Sequence, residues 1–219
     1  MRTIAVIARK GGSGKTTVAV HMAIAAHLRG KRVLLADADP QRSSSTVLRG
    51  RRQAGPDYAE TCGPQLCALQ MAAVRRDFDA LVIDTAAGAE DELAHAIVLA
   101  DVSLLVIRPT FLDFAAAIRT ADVLRRLKKP GVIVLNQAPV PRNGAEPPLV
   151  KKAHEALQLM RLTVAPTILR SRTAYQQALE SGCSAEELGG GGPAAQEVAD
   201  LWAFVERLTF GAQTERMRA

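Results

Sequence analysis

Residues 10–17 read Lys10-Gly11-Gly12-Ser13-Gly14-Lys15-Thr16-Thr17, residue types that suit the binding of a phosphate chain. Glycines let several backbone N–H groups converge on phosphate oxygens, and a following helix N-terminus adds positive potential. Lys15 and the Thr16 hydroxyl stand where the pattern G-x-x-x-x-G-K-[ST] puts a phosphate-binding lysine and a Mg²⁺ ligand. The pattern is incomplete, because Arg9 takes the place of its first glycine and Lys10 follows at once. The loop therefore carries one lysine more than phosphate capture requires. Three carboxylates complete the set. Asp37 and Asp39 lie in Asp37-Ala38-Asp39-Pro40-Gln41, and Asp84 ends the apolar run Ala80-Leu81-Val82-Ile83. An apolar strand ending in aspartate is the form whose carboxylate holds Mg²⁺, usually through water. Strand alternation sends Asp37 and Asp39 to one side, one for the Mg²⁺ shell and the other to orient or deprotonate an attacking water. Gly88, four residues after Asp84, allows backbone approach to a terminal phosphate.

These groups converge only if particular elements hold them. Thr3 to Ala8 is a β-branched, apolar run that predicts a buried parallel strand ending at the loop. Val18, Met22, Ala25, Ala26 and Leu28 follow at helical spacing, with Gly30 as C-terminal stop. Residues 32–36 predict a second strand ending at the Asp37 cluster. Carboxylates at the C-terminal ends of parallel strands lie where doubly wound sheets bind ligands. A short helix is expected over 41–50, an exposed loop over 50–63 and a helix over 65–76. Beyond the Asp84 strand, a helix is expected over 90–100 and a strand over 102–107. An amphipathic helix over 111–128 should turn Phe114, Ile118, Ala121 and Leu124 inward. A strand over 131–136, a helix over 149–160, a strand over 162–169 and helices over 173–181 and 194–209 complete the pattern. The fold class is α/β: a doubly wound, mainly parallel sheet flanked by helices, in one domain over residues 1–210 with 211–219 as a flexible tail.

With 219 residues and 48% hydrophobic content, the chain suits one domain with a full core. No apolar run reaches the length of a transmembrane helix, and the N-terminus reads as a strand rather than a signal peptide. Cys62, Cys67 and Cys183 have no metal-site spacing and fit a reducing cytoplasm. His21, His27, His95 and His154 read as structural or surface residues. The net charge of +6 is unevenly spread: Arg119–Arg172 holds eleven basic residues against three acidic ones. That skew fits a nucleic-acid footprint, with a solvated arginine-rich surface as the plainer alternative.

Taken together, the Lys10–Thr17 loop, Asp37–Gln41 and Asp84-Thr85-x-x-Gly88 resemble the ParA/MinD family of deviant Walker A ATPases. Arg108-Pro109-Thr110-Phe111-Leu112-Asp113 resembles that family's Pro-x-Pro-Leu-Asp stretch. The resemblance covers about residues 2–208 and fits best the small partition proteins of the ParF-like and VirC1-like branch, which lack an N-terminal helix-turn-helix. It implies a P-loop NTPase fold, ATP and Mg²⁺ as cofactors, and a nucleotide-sandwich homodimer in which Lys10 reaches the partner's phosphates. By the same resemblance, Lys10, Lys15 and Asp39 are catalytic. Lys10, Gly11, Gly12, Ser13, Gly14, Lys15, Thr16 and Thr17 hold nucleotide. Thr16, Asp37 and Asp84 serve the metal. Asn136 either contacts adenine, as in MinD-like relatives, or caps its strand. Departures from the family are Arg108, where a small or polar residue is commoner, Ala86-Ala87 in place of prolines, and the break Gly189-Gly190-Gly191-Gly192-Pro193.

The resemblance also favours non-specific DNA binding by an ATP-bound dimer, for which Lys and Arg on phosphates suffice. Lys151, Lys152, Arg170 and Arg172 are the first candidates, and Arg125, Arg126, Lys128 and Lys129 the second. The expected function is a cytoplasmic, nucleoid-associated partition or positioning ATPase, released from DNA when a ParB-like or other adaptor stimulates hydrolysis. Two alternatives belong to other classes. A MinD-like membrane-surface ATPase needs a membrane-seeking end. Residues 194–210 offer Leu201, Trp202, Val205, Leu208 and Phe210, but with Glu197, Asp200 and Glu206 they read as a core-packing helix. A P-loop synthase of amide or biotin chemistry needs substrate-handling residues that are not visible. No Asn-Lys-x-Asp guanine signature is present, which favours ATP over GTP.

Overall fold

The structure is a computed structural model that describes residues 1–88, 90–189 and 191–216. Seven strands form one sheet: β1 (Arg2–Ile7), β2 (Val33–Asp37), β3 (Asp57–Glu60), β4 (Ala80–Asp84), β5 (Val102–Ile107), β6 (Gly131–Leu135) and β7 (Thr163–Val164). Their order is β3-β2-β4-β1-β5-β6-β7, and every pairing is parallel. Parallel neighbours need crossover connections, and among the described residues eight α-helices supply or flank them. These are α1 (Lys15–Leu28), α2 (Ser43–Arg49), α3 (Leu66–Arg75), α4 (Glu90–Leu99), α5 (Phe111–Arg126), α6 (Pro148–Gln158), α7 (Thr173–Glu180) and α8 (Pro193–Arg216).

The central strands are predominantly apolar and buried because both faces are covered. Ile4 and Val6 of β1 join one core with residues of α1, α7 and α8, whereas Ala5 and Ile7 join a second core with residues of α3 to α6. β4 divides in the same way, Ala80 and Val82 to the first core, Leu81 and Ile83 to the second. This is the two-residue strand period with neither face in water. Leu201, Trp202 and Val205 of α8 are fully buried in the first core. That helix packs inward, as its mixed charge suggested. No helix among the described residues is long and apolar enough to cross a membrane.

Four expectations about elements change. The stretch 50–63 contains edge strand β3, which pairs through backbone from Leu34↔Asp57 to Asp37↔Glu60 while its side chains are mostly exposed. An edge strand needs little apolar content, so the sequence carries no periodic signal for it. The strand expected over 162–169 is regular only at Thr163–Val164. Pro166 has no N–H to give the ladder, although the segment stays beside β6 through Ala165 N–H to the Ile133 carbonyl at 2.8 Å and Leu169 N–H to that of Leu135 at 3.0 Å. On α5, Ala121 and Leu124 are buried as expected, but Ile118 is 50% exposed and Ala117 and Thr120 take the inward positions. The last helix runs to Arg216 rather than ending near 209. Gly190 of the glycine break and residues 217–219 of the expected tail lie outside the described residues.

Candidate active site

The strand order places the phosphate loop where a doubly wound sheet has its crevice. β1 lies between β4 and β5, with the chain running outwards to β2 on one side and to β6 on the other. In register, Val6 stands beside Asp84, and Asp84 stands beside Asp37. The carboxylates sought in the sequence are thus brought to one sheet edge, next to the loop that leaves β1.

The loop needs glycine at two positions where the backbone turns left-handed. Gly12 has φ 73°, and Gly14, the N-cap of α1, has φ 90°. Two side chains from the end of β6 brace it. Asn136 Nδ2 donates to the Ser13 carbonyl at 2.8 Å, and Gln137 Nε2 donates to the Gly12 carbonyl at 3.0 Å. Using up these carbonyls leaves the opposite side of the loop to its N–H groups. Asn136 therefore has a third role beside the two expected: it holds the loop. Gln137 is a member of the site that the sequence did not single out. Its φ of 52° is the backbone mark of its place, but no motif announces it.

Lys15 opens α1 and is buried. Burial lowers its pKa, and the nearby Asp84 and Asp39 carboxylates push back towards the charged form. Lys10 lies at the half-buried mouth of the loop and makes no ion pair among the described residues.

The three aspartates differ sharply. Asp37 is fully buried, and its oxygens accept the Asp39 N–H at 3.2 Å and the Ser45 N–H at 2.8 Å. It thereby holds the first turn of α2 against the sheet edge. Asp39 follows β2 in a half-exposed turn, where its Oδ1 accepts the Gln41 N–H at 2.9 Å. Asp84 is also fully buried, but neither of its oxygens completes a hydrogen bond. Burial pushes its pKa up to about 7, and Asp37 adds to the rise, while the adjacent Thr16 and Ser44 hydroxyls and Lys15 oppose it. The hydroxyls of Ser13 and Ser45 are buried without partners as well. A buried carboxylate without hydrogen bonds costs free energy unless a cation or proton meets it. Asp84 and Thr16, beside a loop built for phosphate, fit Mg²⁺ bound with a nucleotide; Asp37 stands close to them with its oxygens already engaged.

A second group borders the loop from β5. Asp113 is buried at the start of α5, where it accepts from Arg108 Nε and Nη2, each at 3.1 Å, and from the Thr110 hydroxyl. Burial alone would raise the Asp113 carboxyl, but these donors more than offset it and hold it below its ordinary value. Nothing in the spacing of residues 108–113 announces this clasp, which forms only where the end of β5 meets the start of α5.

The expected DNA-binding residues divide into two kinds. Lys151 and Lys152 lie exposed on α6. Arg170 is held instead by both Glu146 oxygens, at 2.6 and 2.8 Å, and by the Pro139 carbonyl at 2.9 Å. Arg172 donates twice to Glu197, at 2.9 and 2.7 Å. In the second set, Arg125 pairs with Asp122 at 2.6 Å and Lys129 Nζ donates to the Ala100 carbonyl at 3.3 Å. Of the four first candidates, only Lys151 and Lys152 form no ion pair among the described residues, although Glu146, lowered mainly by Arg170, also feels the Lys151 charge.

The sequence model of the CobQ/CobB/MinD/ParA nucleotide binding domain matches residues 4–191. The chain is 39% identical over 121 residues to the maintenance of carboxysome distribution protein A of Gloeobacter kilaueensis, covering 54% of this chain and 55% of that one. This match thus spans just over half the length of that relative. The protein of the same name from Halothiobacillus neapolitanus is 28% identical over 206 residues, covering 89% of this chain and 91% of the other. Among solved structures, an ATP complex of McdA from Cyanothece superimposes with a TM-score of 0.76 at 18% identity, covering 95% of this chain and 96% of that one. At that identity the match establishes the fold.

Proposed function

The chain belongs to the CobQ/CobB/MinD/ParA family of nucleotide-binding ATPases, and from that premise we propose that it is an ATP-switched positioning ATPase of the ParA and McdA kind. In this reading ATP closes a homodimer that binds DNA without sequence preference, and an adaptor protein stimulates hydrolysis and release. The observation that carries it is the braced, glycine-turned loop, with Lys15 buried near the Asp84 and Asp39 carboxylates and a second lysine, Lys10, half-buried at its mouth. A cation at the mouth can serve a nucleotide on a facing subunit, and this ties turnover to assembly. The name shared by the two relatives, which concerns carboxysome distribution, supports cargo positioning as the purpose.

Each residue then has a task that its placement supports. The loop N–H groups and Lys15 bind the β- and γ-phosphates. Thr16 and Asp84 would hold Mg²⁺, with Asp37 behind them. Bound there, Mg²⁺ supplies charge neutralisation on the phosphates. Asp39, in a turn open to solvent, orients the attacking water. Lys151 and Lys152 contact DNA phosphates, with the dimer drawn to the nucleoid.

The test is retention of the purified protein on non-specific DNA at rising salt with ATP, ADP or no nucleotide. ATP-dependent retention that falls steeply with salt is expected. Retention that ignores the nucleotide would refute the switch. Hydrolysis that does not rise with protein concentration would refute assembly-linked turnover.

A further inference from the structure

The phosphate loop has a neighbour whose purpose the ATPase chemistry above leaves open. Capping α5 needs only Thr110 and Asp113, since Thr110 accepts the Asp113 N–H at 3.3 Å and its own hydroxyl donates to the Asp113 carboxylate. Arg108 adds a full positive charge to that arrangement and fixes it in place. Its Nε and Nη2 are taken by the two Asp113 oxygens, leaving Nη1 outside the pair. This remaining nitrogen faces the loop, and a β-carbon on Gly12 would lie 3.7 Å from it. The Arg108 side chain is 29% exposed and that of Asp113 1%, so the anchor is buried and the outer end reaches solvent.

A guanidinium gripped along one edge by a buried carboxylate loses little further freedom on meeting an anion, and it still has N–H groups to give. A phosphate oxygen is the anion that this loop is built to bring. Resting on the ATP-binding reading above, we propose that Arg108 is a phosphate-binding residue of the nucleotide site. It is a fixed third cation beside Lys10 and Lys15, touching the nucleotide of its own subunit through Nη1, with Asp113 as its positioning residue.

Replacing Arg108 alone would strand the buried Asp113 carboxylate, so the variant to make is Arg108→Gln with Asp113→Asn. This pair keeps hydrogen-bonding shape and removes both charges. Titration with fluorescent ADP and Mg²⁺, at concentrations where gel filtration gives a monomer, should show affinity about tenfold weaker, as for loss of one charge-assisted hydrogen bond. A double variant with native melting and wild-type affinity would overturn the inference. If the double variant does not fold, ¹⁵N arginine side-chain spectra of the wild type decide the matter. The Arg108 signal, identified by its absence from Arg108→Lys, should move on addition of ADP, and an unmoved signal would overturn the inference. A wild-type chain that binds no nucleotide would remove the proposed function as well. Binding that is indifferent to Arg108 would remove this inference alone.

Discussion

A β-carbon on Gly14 would lie 2.1 Å from Asn136 Nδ2, so glycine in the loop and asparagine at the end of β6 are fitted to each other. Gly14 adds a left-handed φ of 90°, which costs other residues roughly 1–2 kcal/mol. Gly14→Ala should therefore displace the brace and abolish nucleotide binding while the sheet still folds, as read by titration beside circular dichroism. Asn136→Ala should weaken ATP and GTP by similar factors, because the lost contact is to the loop. A loss confined to ATP would return Asn136 to adenine recognition.

The two lysines should fail differently. Lys15 is buried between the loop and the carboxylates, and Lys15→Ala should lose nucleotide capture in the monomer. Lys10 sits at the mouth without an ion pair among the described residues. Lys10→Ala should keep monomer affinity within a few-fold and lose the rise of specific ATPase rate with protein concentration. Equal loss of capture in both variants would remove the trans role.

Asp84 makes metal affinity depend on pH. Its carboxyl titrates at about 7 in the folded chain, above its ordinary value of 3.8. For an acid raised by burial, the folded state favours the proton, so metal-free stability falls as pH rises from about 4 to 7 and then levels. Mg²⁺ must displace that proton, so its apparent affinity should weaken towards tenfold per pH unit below 7. Asp84→Asn should melt higher than wild type at pH 8 without Mg²⁺ and gain less than wild type when Mg²⁺ is added to the nucleotide complex. Calorimetry across pH reads both effects.

His21 should give the chain an acid limit. Its ring is buried, its Nδ1 lies 2.7 Å from the Thr17 carbonyl, and burial lowers its pKa to about 4. A depressed histidine contributes stability that is fully present above about 6.5 and is lost as pH falls towards 4. His21→Met should flatten the decline in melting temperature across that window, and an unchanged slope would place the acid sensitivity elsewhere.

The basic residues should separate into binders and braces. Lys151→Glu with Lys152→Glu should leave melting unchanged within about 0.5 kcal/mol and abolish DNA retention at moderate salt. Arg172→Ala should instead lower stability by roughly 1–3 kcal/mol, because it removes charged hydrogen bonds to half-buried Glu197. Chemical denaturation and DNA retention on the same samples distinguish the two.

What was legible in the sequence follows from signal strength. β1, β2 and β4 are continuous apolar runs because both their faces are covered, and each ends at the chemistry it positions. β3 was illegible because an exposed edge strand is held by backbone alone. Ile118 misled because helical spacing fixes which residues share a face without saying which face meets the sheet.

By itself, then, the sequence determined the phosphate loop, its extra lysine, the strand-end aspartates and the alternating α/β order. These depend on residue type and short spacing, and glycine, lysine and aspartate carry their chemistry wherever the chain takes them. The tertiary structure alone decided how the aspartates divide, with Asp37 engaged by backbone N–H groups and Asp84 buried beside Thr16, Ser44 and Lys15 with no backbone donor. It also brought Asn136 and Gln137 onto the loop and turned Arg108 towards Gly12. It paired Arg170 and Arg172 with carboxylates from other segments. The physical reason for the last three is range: a pairing between residues more than twenty positions apart is set by strand order and helix packing, which no local spacing encodes. The Asp37 contacts are local but form only once α2 packs at the sheet edge.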